Sequence, residues 1–90
     1  MLEHAGAALV SAFKLPQDVM LGEVLLSIVG RQVVLIENYK SIILYADHCV
    51  KLQTKNGKLT INGEHLIIEY YTKDEMKITG RIRSVELDGV

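Results

Sequence analysis

The tripeptide Asp47-His48-Cys49 sets three chemically capable side chains next to one another. A Cys-His pair can serve as nucleophile and base, or as two ligands of a metal. The spacing opposes both uses. In an extended segment neighbouring side chains leave opposite faces, so His48 and Cys49 diverge. Cys49 is the single cysteine, so a structural zinc would need several distant His or carboxylate ligands. We read a turn histidine beside a half-buried cysteine, with no metal and no cofactor. His65 follows Gly63-Glu64 in a loop and reads as solvated, and His4 lies close to the amino terminus.

Glu64, Glu69, Asp74 and Glu75 offer carboxylates. Acid–base work on a glycoside requires two carboxyl groups whose environments drive their pKa values apart. Nothing in the spacing gathers two of these in an apolar pocket. There is no Gly-rich nucleotide loop and no G-x-S-x-G elbow. No catalytic residue is assigned, and a non-enzymatic protein is expected.

Lys77, Arg81 and Arg83 read as one face of the last strand. They could form a docking stripe for an acidic partner or a lipid head group. Charges on an exposed strand also block edge-to-edge aggregation, which is a sufficient structural reason for them. Tyr70 and Tyr71 are adjacent, so one points inward and one outward. A groove near these tyrosines and the Arg81/Arg83 stripe would suit an anionic or saccharide ligand. Stacking on single-stranded nucleic acid would need exposed rings set among basic residues. The net charge of −1 adds no bulk attraction for nucleic acid or anionic membrane, so no nucleic-acid partner is expected.

These side chains must be positioned by a small body. Ninety residues make one domain, and a chain of this size buries only about 60–65% of its unfolded surface. A lone cysteine fits a reducing compartment. The opening "MLEHAGAALVSAF" carries Glu3 where a secretory signal has basic residues. Its apolar stretch is far below the roughly 20 residues that span a bilayer, so no transmembrane segment is expected. These features predict a cytoplasmic domain.

Leu2, Leu9 and Phe13 recur at helical spacing and predict a helical segment over residues 1–15, ended by Leu15-Pro16. Residues 16–90 read as one β domain. From Glu23 the apolar period is two. "EVLLSIV", "QVVLIE", "SIILY", "CVKLQT", "KLTI", "LIIEYY" and the long "MKITGRIRSVEL" read as strands. The turns fall at Gly30-Arg31, Asn38-Tyr39-Lys40, Ala46-Asp47-His48, Asn56-Gly57, Asn62-Gly63 and Thr72 to Glu75. Asn-Gly pairs tolerate the positive φ of hairpin turns, and neither glycine opens a phosphate-cradling helix. In the last strand the apolar phase runs Met76, Ile78, Ile82 and then shifts to Val85 and Leu87, which predicts a bulge near Arg83-Ser84. Seven to eight short strands predict an all-β fold, a small antiparallel β-sandwich or barrel. A β-solenoid is the second choice, opposed by the lack of a fixed-length repeat.

The two halves differ. Strands after Cys49 alternate apolar and polar, so they have one dry and one wet face. Earlier strands are apolar on both. If Val34, Ile36, Ile42 and Leu44 line the core, then Val33, Leu35, Ile43 and Tyr45 face away. Monomers seldom leave contiguous apolar patches above a few hundred Å². The predicted helix, about 18 Å long and 10 Å wide, would shield only about two strands. We therefore expect a partner interface at Leu25, Val29, Val33, Leu35, Ile43 and Tyr45, covered by a second copy or another protein.

The stretches "LPQDVML", "IENYKSIILYAD" and "GKLTINGEHLIIEYYTKDEMKITGRIRSVEL" together resemble the YabP/YqfC family of sporulation proteins, and the "IEN" turn is closer to the YqfC branch. The likeness runs from Leu15 to Leu87. Related chains begin with a more basic amphipathic stretch, whereas this one is alanine-rich there. The resemblance implies a compact β-sandwich-like domain made by endospore-forming bacteria and needed for spore maturation. It implies no enzymatic activity and no catalytic residues. It suggests action by self-association or through another sporulation protein, a membrane protein of the developing spore among the candidates. That would place the chain in the sporulating cell, in the cytoplasm or peripheral at a spore membrane.

Overall fold

A computed structural model describes residues 22–89, and the predicted segment 1–15 lies outside them. Six strands follow in order: β1 (Leu25–Val29), β2 (Val33–Glu37), β3 (Ser41–Ala46), β4 (Cys49–Thr54), β5 (Gly57–Tyr71) and β6 (Glu75–Gly89). Every pairing is antiparallel, and the strands form one sheet in the order β1-β2-β6-β5-β4-β3. The all-β expectation holds, but the count does not: among the described residues there are six strands, and two of them run 15 residues. One bonded sheet stands where a sandwich or barrel was expected. Among the described residues its pairings end at β1 and β3 without joining them.

The first four strands follow from local sequence. Three of the five residues of β2 are β-branched, and turns with permissive backbones separate the strands. Gly30, at φ 57, opens the loop between β1 and β2. Asn38 takes φ 69, which asparagine tolerates better than most residues. Its side chain donates to the Glu23 carbonyl at 2.8 Å and its backbone N–H to the Asp74 carbonyl at 2.7 Å. Asp47-His48 joins β3 to β4, with Ala46 paired to Cys49.

Asn62-Gly63 is not a turn. β5 runs straight through it to Tyr71, so one 15-residue strand replaces the two expected. A Cβ on Gly63 would sit 2.1 Å from the Arg81 carbonyl oxygen, so this glycine serves a close approach of two backbones. The Asn56-Gly57 hairpin does form. Its loop is Lys55-Asn56, however, with Gly57 already paired to Thr54.

The long hairpin of β5 and β6 is bent. Its register shifts between Asn62 and Gly63, between Glu64 and Ile67, and between Ile68 and Tyr70. Asn62 faces Ser84 and Gly63 faces Ile82, so Arg83 is an extra residue and the predicted bulge is present. His65 (φ 55) and Gly80 (φ 138) mark the bend. Each side of the bend takes up a neighbouring turn. Gly63 and Leu66 donate to the His48 and Asp47 carbonyls, and Gly80 and Ile82 donate to those of Gln32 and Arg31.

The bend lets one sheet enclose a core. Strands β2 and β3 are four places apart in the sheet, about 19 Å if it were flat. The link Asn38 to Lys40 spans at most about 14 Å between strand ends. A flat sheet is therefore excluded. Val34 and Ile36 of β2, Val50 and Leu52 of β4, Leu59, Ile61 and Leu66 of β5, and Met76, Ile78 and Ile82 of β6 form one buried cluster with Tyr39. Burying each large apolar side chain is worth about 1.5–3 kcal/mol, so this cluster holds the fold.

Candidate functional site

β3 departs most from expectation. Ile42 and Leu44 do not line the core: they are 36% and 45% exposed, beside Ile43 at 46% and Tyr45 at 50%. Two causes combine. Among the described residues the strand lies at the sheet edge, with β4 on one side only. Its register also shifts between Ile42 and Leu44, so Ile43 is an extra residue and strict alternation fails. Ile42 then faces Leu52 and Tyr45 faces Val50, both core residues, while Leu44 faces Lys51. The Tyr45 hydroxyl accepts a hydrogen bond from the Ile68 backbone N–H at 3.0 Å, tying β3 to the second half of β5.

The other expected interface residues lie on the opposite side of the sheet order. Leu25, Val29, Val33 and Leu35 share a face of the β1–β2 hairpin, because Val29 pairs with Val33 and Leu35 faces Ser27. That face continues across Lys77 of β6 to Tyr70 of β5. Leu25, Val33 and Leu35 are half-buried, and Val29 is exposed. Ile28, Ile67, Tyr71 and Leu87 are also exposed. The sequence placed Tyr71 beside a ligand groove, but no sequence signal marked the other three, since apolar character reports an affinity for burial and not which side has cover.

The basic residues are split by the bend. Arg81 and Arg83 converge on Glu64, at 3.5 and 3.1 Å. Lys77 lies beyond Gly80, in the ladder between Leu35 and Tyr70. Arg31, from the β1–β2 turn, joins Arg81, Arg83, Ile28 and Val85 around an open groove. Tyr70 and Tyr71 lie at the turn end of the hairpin, away from Arg81 and Arg83, and both are exposed, so neither ring points inward as expected.

His48 is exposed and contacts Asp47 at 3.1 Å, while Cys49 is half-buried at the start of β4. Among the described residues no group of three or more His, Cys, Asp or Glu side chains could hold a metal. Glu69 accepts from the Thr79 hydroxyl at 2.7 Å. Glu37 faces Glu75 across the sheet, and its carboxyl is pushed up by burial first, then by Glu75 and Asp74. The buried Tyr39 phenol donates to the Thr72 carbonyl. Burial raises its pKa, with Tyr71 and Asp74 adding to the shift. No helix among the described residues is long and apolar enough to cross a membrane.

The model of the YabP family matches residues 22–90, which include all six strands. The chain is similar to a Bacillus subtilis (strain 168) protein named "Uncharacterized protein YqfC". The two are 32% identical over 76 residues, covering 84% of this chain and 82% of that one. No solved structure matches. The family match takes in all six strands and the relative covers most of the chain, and on that ground the chain belongs to the YabP family.

Proposed function

We propose that this chain is a non-enzymatic protein of spore maturation that acts by assembly or partner binding. The family supplies the sporulation setting. The observation that carries the mode of action is the run Ile42 to Tyr45, four consecutive large apolar side chains left exposed on an edge strand. Such runs are disfavoured on a surface unless they are used. Glu64 and Glu69 are each engaged by neighbours, whereas Glu37, Asp74 and Glu75 cluster at the start of β6. The test is genetic. In the bacterium that encodes it, loss of the gene should block spore maturation, and Leu35→Lys or Ile43→Lys at normal abundance should do the same. Normal spores from both variants would overturn the reading.

A second reading is a binding module for an anionic or saccharide ligand. It rests on Arg31, Arg81 and Arg83 around one groove, opposed by Glu64. A monomer whose melting temperature rises with an anionic polysaccharide, and fails to rise after Arg31→Ala, would favour it.

A further inference from the structure

We infer that β3 is a self-pairing edge: two copies of this chain join β3 to β3 in antiparallel register and continue the sheet. This deepens the assembly reading and rests on it.

β3 ends the sheet, and among the described residues its second edge has no strand partner. An open edge of N–H and C=O groups templates another strand unless charge, proline or cover prevents it. Ser41 to Ala46 contains no charge and no proline. Its four large side chains are about equally exposed on both faces, so a paired strand would bury both. The other edge, β1, is less exposed: Leu25, Leu26 and Ser27 are half-buried.

Charge selects the partner and the direction. Lys40 immediately precedes β3 and Asp47 immediately follows it, and both are exposed. An antiparallel pair of β3 strands brings Lys40 of each copy to Asp47 of the other, twice by symmetry. A parallel pair would instead stack Lys40 on Lys40 and Asp47 on Asp47. Opposite charges placed across strands stabilise the pairing, and like charges oppose it. The strand is thus complementary to its own reverse, which is what a two-fold interface requires. At β1 the flanking Glu23 accepts from Asn56 at 2.8 Å and lies 3.8 Å from the Lys55 amine; at β3 Asp47 contacts His48 at 3.1 Å, and both of those side chains stay largely exposed.

The experiment is sedimentation equilibrium of the full chain, at concentrations up to about 1 mM so that weak pairing is seen. The expected mass is twice 10.1 kDa. Leu44→Glu should leave a monomer. This change sets a carboxylate opposite Lys51 within each copy, so the fold is retained. Lys40→Glu and Asp47→Lys should each weaken the dimer about fivefold or more, since two exposed pairs are lost at once. The double swap should restore it to within about threefold. Where Leu44→Glu fails to fold, the swaps carry the test, because both side chains are exposed. A wild-type monomer overturns the pairing, as does a dimer indifferent to Leu44→Glu. Swaps that add without rescue overturn the register. A monomer whose Ile43→Lys variant still blocks spore maturation would remove self-pairing and keep the wider assembly reading. Normal spores from a dissociated variant would remove the wider reading and keep the pairing.

Discussion

Gly63→Ala should be among the most damaging single changes in the protein. The added Cβ would lie 2.1 Å from the Arg81 carbonyl oxygen and 3.0 Å from Leu66 Cδ2. Ordinary carbon contacts need about 3.5 Å, so the two strands would have to part by more than an ångström. The obstacle is backbone, which cannot rotate aside as a side-chain tip can. The strands are also fixed on both flanks, by Asn62 on Ser84 and Glu64 on Arg81. Gly63 itself is held by its N–H bond to the His48 carbonyl at 3.1 Å. Overpacking costs about 1–3 kcal/mol, and a backbone clash belongs at the upper end. For a domain of this size each kcal/mol is worth about 4–8 °C, so melting should fall by about 12 °C or more. The control is Gly89→Ala, whose Cβ meets nothing within 4 Å, and it should stay within about 0.5 kcal/mol of wild type. Far-ultraviolet circular dichroism melts in dilute solution would measure both. A Gly63→Ala protein melting within about 4 °C of wild type would refute the close approach of β5 and β6.

Two further changes test the polar features. Glu37→Gln should stabilise the fold at neutral pH by about 0.2–1 kcal/mol, since Glu37 and Glu75 are like charges directly opposite. The sign follows from the raised carboxyl. Between its ordinary value of 4.5 and its higher folded value, the folded chain holds a proton that the unfolded chain has lost. Stability from this group therefore falls as pH rises through that window, and the gain from Glu37→Gln should vanish below about pH 4. Urea titrations at several pH values would show it, and a pH-independent gain would contradict the assignment. Tyr39→Phe should cost about 0.5–1.5 kcal/mol in the same assay, by removing the donor to the Thr72 carbonyl. An unchanged urea midpoint would mean that this hydrogen bond adds nothing.

Local chemistry made much of the fold legible. Turn residues and short apolar runs marked β1 to β4, and the phase shift from Ile82 to Val85 revealed the bulge at Arg83. The bulge at Ile43 left no such trace, because Ile42 to Tyr45 are all apolar and a shift among equals is silent. Gly63 misled for another reason: a glycine required by a facing carbonyl looks like a glycine required by a turn. The arginine stripe was legible in type but not in place. Arg81 and Arg83 meet at Glu64 because Glu64 pairs directly with Arg81 across the ladder, while Lys77 pairs with Tyr70 beyond the register shift that follows Glu64. The apolar excess of the early strands was visible from composition. Its concentration on β3 was not, because it depends on which strand ends the sheet.

Hydrogen exchange along β3 tests the account most directly. Alternate backbone amides of an edge strand point away from their single neighbour. If β3 is a surface for association, the outward amides between Ser41 and Ala46 should gain protection as concentration rises, approaching those that face β4. Outward amides that exchange like an unstructured peptide at every concentration would contradict it.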